Sequence, residues 1–95
     1  MTPDDVGGVL REALEALAAK EHERWAHWQR YLHSKAEQQS DGSLLLPASL
    51  VAQWETQIAT PYGNLSDIKK ESDRDQVLKY LPIIETAFKK RLIGG

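Results

Sequence analysis

The chain has 95 residues, 12 Lys and Arg against 14 Asp and Glu, a formal charge of −2 and no cysteine. A chain this short is one small domain that buries only a little over ~60% of its unfolded surface, so a single modest core is the limit. The charge argues against a generic nucleic-acid binder, which carries a basic excess, and the missing cysteine removes disulfides, thiolate nucleophiles and cysteine-based zinc sites.

The hydrophobic and charged fractions, 41% and 27%, are those of an ordinary soluble globular protein. The first ten residues, MTPDDVGGVL, are acidic and lack the apolar run of a signal peptide. No stretch approaches the ~20 apolar residues of a membrane span. The expectation is one helical domain over residues 1–95 with its core in 9–92, cytoplasmic and without a membrane partner.

Thr2-Pro3-Asp4-Asp5 reads as a helix start: a possible N-cap, a proline at the first helical position, and two carboxylates where the helix dipole favours negative charge. Gly7 and Gly8 weaken the next turn by about 1 kcal/mol each relative to alanine, so the firm helix is expected near Val9. From there Leu10, Leu14, Leu17, Trp25, Trp28 and Leu32 follow a four-three spacing, with Glu21 as the polar member of the series. No proline or glycine follows until Gly42, which predicts one long first helix over residues 3–38.

Residues 40–43, Ser-Asp-Gly-Ser, form a turn cluster. The three leucines Leu44, Leu45 and Leu46 that follow have no evident partner strand and are read as an extended segment. Pro47 opens a short middle helix over residues 47–59, with Leu50, Val51, Trp54 and Ile58 on one stripe. Pro61 ends it, since the residue before a proline avoids the helical region.

Ser66 is the expected N-cap of a last helix over residues 66–92, and Ser72 a second candidate cap within it. Val77, Leu81, Ile84, Phe88 and Leu92 repeat at helical spacing, and Pro82 predicts a kink. Lys89-Lys90-Arg91 suits a helix C-terminus and Gly94 a terminator. The diglycine at 94–95 matches the end of ubiquitin-like modifiers, but the rest of the chain lacks the alternating strands of that fold. The fold class expected is therefore all-α: a long first helix, a short middle helix and a long kinked last helix, with an extended segment between the first two. The expected core is Leu14, Leu17, Trp25, Trp28, Leu32, Leu50, Trp54, Ile58, Val77, Leu81, Ile84 and Phe88.

Three constellations invite a chemical reading. His22-Glu23 begins like the zinc-protease motif HExxH, but the second histidine, His27, comes one residue late. A five-residue step turns about 140° around a helix, so the two rings cannot chelate one metal, and no metal or cofactor is expected. Trp25, Trp28 and Trp54 suit a stacking platform or, more in keeping with their helical spacing, a core. Asp73, Arg74 and Asp75 read as a solvated helix face with local ion pairs, each worth under ~1 kcal/mol. No nucleophile–base pair or paired carboxylates stand at a telling spacing, so an enzyme is not expected.

His22-Glu23-Arg24-Trp25-Ala26 resembles the H-x-x-W-A segment of the ryanodine-receptor repeat (RyR) domain, which also occurs in small bacterial and phage-encoded proteins. Pro61-Tyr62, Leu65, Lys70 and Ser72-Asp73-Arg74 are similar to the family's later segment in order and spacing. The likeness covers about half of the chain, from Glu21 to Lys79. Where the family has a glycine-tryptophan-tyrosine-glycine stretch, Gln29-Arg30-Tyr31-Leu32 stands here, so the receptor repeats' own ligand surface does not carry over. The resemblance implies helices around a small core, no enzymatic activity, and a shared polar set.

Two functions are expected from these observations. The first is a small non-enzymatic interaction or adaptor protein of bacterial or phage origin, acting as a homodimer or with a protein partner. Val6, Leu10 and Leu14 have little of this chain left to cover them. The alternative is a small-ligand, nucleotide-like binding module built on a Trp/His/Arg pocket. The residues expected to carry either are His22, Trp25, Tyr62, Asp73 and Arg74. His22 and Arg74 are expected to join the first and last helices in one hydrogen-bonded network, with Arg74 donating to a carbonyl or carboxylate.

Overall fold

The computed structural model describes residues 1–93. Five helices, α1 (Pro3–Glu12), α2 (Leu14–Lys35), α3 (Ala48–Ala59), α4 (Asp67–Leu78) and α5 (Leu81–Ile93), carry most of the chain. Between α2 and α3 lies a two-stranded hairpin, β1 (Glu37–Gln38) and β2 (Leu44–Leu45), and a 3-10 turn at Tyr62–Asn64 precedes α4. The all-α expectation holds broadly, while three helices become five and the extended segment becomes part of a sheet.

The expected long first helix is two. It starts at Pro3 as expected, and the turn ahead of Val9 is already helical, because the Asp5 carboxylate accepts from the Thr2 backbone N–H at 2.8 Å and the Thr2 hydroxyl at 3.0 Å. These bonds tie down the entry turn ahead of the glycines. At Ala13 the backbone shifts to φ −81°, ψ −8°, and its N–H is shared between the Val9 and Leu10 carbonyls at 3.2 Å each. Helix α2 starts after this residue and ends at Lys35, before the expected 38.

Glu37 and Gln38 are the unforeseen partner of the leucine segment, pairing antiparallel as Glu37 with Leu45 and Gln38 with Leu44. Polar residues of weak strand preference gave no signal. The turn is what brings them together. Gly42 sits at φ 89°, a conformation natural only to glycine, while the Ser43 N–H and hydroxyl both donate to the Asp41 carboxylate at 2.9 and 2.6 Å.

Helix α3 ends where expected, with Thr60 extended ahead of Pro61. Ser66 caps α4, accepting from the Lys69 N–H at 3.3 Å, and α4 then runs unbroken through Ser72. The last helix breaks at Lys79–Tyr80, before the proline. Pro82 then lies in the first turn of α5, where its missing N–H costs nothing, so it marks a helix start and not a mid-helix kink. The terminator expected at Gly94 lies outside the described residues.

The tightest packing is where α1 meets α5. Val9, Ala13 and Ala87 are buried there, with Leu17, Ile83 and Phe88 packed around them. Arg91 spans the contact from α5, donating to Glu12 and lying 3.8 Å from Asp5. A side chain at Gly8 would come within 3.3 Å of that guanidinium, so the glycine lets it lie close over α1. Most of the expected core lies elsewhere. Leu14, Trp25, Trp28, Ile58, Val77 and Leu81 are exposed, and Leu32, Leu50, Trp54 and Ile84 are half-buried.

The reason is shape. The molecule measures 59 × 35 × 18 Å with a radius of gyration of 18.8 Å, against about 12 Å for a compact domain of this length. Helix α2, ~33 Å long, extends past the α1–α5 contact, and its apolar stripe is left open. Among the described residues no helix is long and apolar enough to cross a membrane.

Candidate interaction groove

The open stripe of α2 forms one wall of a groove. Trp28, Gln29, Tyr31 and Leu32 line it from α2, Gln53, Trp54, Gln57 and Ile58 from α3, and Leu65, Ile68, Lys69, Ser72 and Asp73 from α4 and the residues leading into it. Each wall follows from helical spacing: Trp28 and Leu32, Trp54 and Ile58, and Lys69 and Asp73 are each four residues apart and share a face. The volume enclosed is about 680 Å³.

Trp28 is held edge-on by neighbours of its own helix, with ring centroids 5.8 Å from His27 and 5.7 Å from Tyr31. Ile58 and Ile68 are 76% and 83% exposed, so the apolar lining continues onto the open surface. Gln29, Gln53 and Gln57 supply amides, which donate and accept hydrogen bonds without titrating. Lys69 and Asp73 supply one positive and one negative charge on the same face of α4. Among the described residues neither belongs to an ion pair.

A second depression, of about 450 Å³, continues from the groove and shares Trp28 and Asp73 with it. It reaches Glu21, Arg24 and Tyr80, the link between α2 and the α4–α5 junction. Arg24 grips the Glu21 carboxylate with two nitrogens, at 2.7 and 3.1 Å, and the Tyr80 hydroxyl donates to the same group. The Arg24 hydrogen bonds first, and then that of Tyr80, hold the Glu21 carboxyl down at about 2. The carboxylate in turn raises the Tyr80 hydroxyl.

The residues expected from sequence fall into two places. His22 stacks on Trp25 along α2, with ring centroids 5.9 Å apart and planes inclined by 25°. Tyr62, Asp73 and Arg74 line a shallow depression of about 340 Å³ with Glu71, Val77 and Leu78. Arg74 pairs with Glu71 of its own helix at 3.3 Å. Tyr62 beside it, and then Glu71, raise its guanidinium further above its ordinary range.

The expected joining of His22 and Arg74 is therefore not the one that forms. Arg74 finds a carboxylate one turn away, and the tie between helices is made by Glu21 and Tyr80. Sequence reasoning missed Lys69, Ile68 and the Glu21–Tyr80 pair. Glu21 carried a usable signal, since a carboxylate at an apolar position of a four-three series implies a polar partner from another element. Among the described residues no group of three or more His, Asp and Glu gathers as a metal site. Compared with protein-family models, with curated proteins and with solved structures, the chain matches none.

Proposed function

We propose that this protein is a small non-enzymatic interaction protein and that the groove between α2, α3 and α4 is its binding surface. The observation that carries this is area. The chain exposes 7448 Å², whereas a folded monomer of its 10.7 kDa exposes about 5,500 Å². Part of that open surface is the groove, where Trp28, Ile58 and Ile68 stand 40%, 76% and 83% exposed, and exposed apolar patches mark interaction sites on soluble proteins. The amide-rich lining suits recognition, since amides are neither acids nor nucleophiles at neutral pH. The resemblance of residues 21–79 to the RyR repeat supports the same reading and a bacterial or phage origin, with the protein acting in the cytoplasm.

A small-ligand module is the second reading, favoured by the groove's volume, which lies in the range of about 300–1,000 Å³ typical of ligand pockets. Its cation is Lys69; His22 and Arg74 stand outside it. A photo-crosslinking residue placed at Ile58 or Ile68 in the expressing cell decides between them. A discrete protein adduct is expected. Absence of any protein adduct at both positions removes the interaction reading.

A further inference from the structure

Resting on that reading, we propose that the partner seated on the groove is a second copy of this chain. The two copies are related by a two-fold axis that sets Lys69 of each protomer against the partner's Asp73.

Three observations converge on this. The first is the amount of surface. The excess over a compact monomer is about 1,900 Å² per chain, more than the ~800 Å² that each partner covers in an interface of standard size.

The second is the size of the core. Among the described residues only Val9, Ala13 and Ala87 are fully buried, a small core for a chain of this length, and domains this small commonly gain stability from association. A second copy supplies it, because homodimers fold and associate together.

The third is charge. A two-fold interface must be self-complementary, residue i meeting residue j while j meets i. The groove presents one cation and one anion, Lys69 and Asp73, a single turn or ~6 Å apart on α4, and neither has an ion-pair partner among the described residues. Two α4 helices approaching antiparallel exchange these positions and close two identical ion pairs. Ile68, next to Lys69 and 83% exposed, lies at the flank of that contact. Trp28 and Ile58 supply the apolar surroundings.

The experiment is sedimentation equilibrium of the full chain with charge reversals. The wild type is expected at twice 10.7 kDa. Lys69→Asp, or Asp73→Lys, gathers four like charges on the axis and weakens association by tenfold or more. The double variant Lys69→Asp/Asp73→Lys restores both pairs and returns the dissociation constant to within about threefold of wild type, which rules out simple misfolding of the single variants.

A single-chain mass for the wild type at about 100 μM, a concentration above ordinary weak-dimer affinities, overturns the proposal. So does a dimer indifferent to both single reversals, or a double variant as weak as the singles. The crosslinker at Ile68 separates the two levels of inference. An adduct of two copies supports both, an adduct with a different protein overturns only the second-copy proposal, and no adduct there or at Ile58 removes both.

Discussion

The Tyr80 hydroxyl donates to the Glu21 carboxylate, tying the middle of α2 to the α4–α5 junction across 59 residues of chain. Arg24, one turn on along α2, holds the same carboxylate with two nitrogens. Tyr80→Phe removes the tie with almost no change of volume. It is expected to lower the thermal midpoint followed by circular dichroism and to raise amide exchange in the last turn of α4. An unchanged midpoint together with unchanged exchange would show that packing alone holds this junction.

The same pair predicts a pH dependence. Glu21 is held down to about 2 in the folded chain, against an ordinary value of 4.5. Its contribution is fully present above pH 4.5 and is lost as pH falls from there towards 2. Glu21→Gln, which cannot titrate, should flatten the stability profile in that window and leave the slope above pH 5 as it was. Chemical denaturation at a series of pH values tests it, and a variant with the wild-type slope below pH 4.5 sinks the assignment.

Burial separates two substitutions that the sequence pattern ranks the other way. Trp25, expected in the core, is 57% exposed and rests on His22, so Trp25→Ala should cost about 1 kcal/mol or less. Val9 is fully buried between α1 and α5, and Val9→Ala should cost about 1–3 kcal/mol by opening a cavity. Urea midpoints of the two variants decide the order.

Two adjacent glycines should also respond differently. An added side chain at Gly7 meets the guanidinium of Arg11, a flexible exposed group, at 3.3 Å. Gly7→Ala should therefore stabilise by about 0.5–1 kcal/mol through helix propensity. At Gly8 the neighbour at the same distance is Arg91, which Glu12 and Asp5 already hold. Gly8→Ala should gain less or lose stability, and Gly8→Ala in an Arg91→Ala background should recover the full propensity gain. Equal midpoint shifts for the two single variants would contradict the close approach of Arg91.

What the sequence by itself determined are the features settled within four or five residues. Thr2 with Asp5, Ser66, and the prolines at 47 and 61 set helix starts and stops, because caps and proline stereochemistry act locally; Pro82 marks a disturbance, which the sequence alone reads as a kink. The apolar faces of α2 and α3 were legible too, and with them Trp28 and Trp54 as neighbours on helical stripes, and Asp73 was already marked as a candidate. A stripe states that a face is apolar; it does not state what covers it.

The tertiary structure decided the rest. The break at Ala13 falls among residues with no strong local breaker and coincides with the contact of α1 on α5; at Pro82 the contacts, including the bond from Tyr80 to Glu21, accompany a full break at Lys79–Tyr80 in place of a kink. Glu37 and Gln38 became a strand only because the turn at Gly42 returned the leucines beside them. Lys69 and Ile68 sit in a polar segment with no motif, and acquired a role only when α4 came to face Trp28 and Ile58 across the groove. Each of these depends on contacts between residues distant in the chain, and neither propensity nor periodicity encodes which faces will meet.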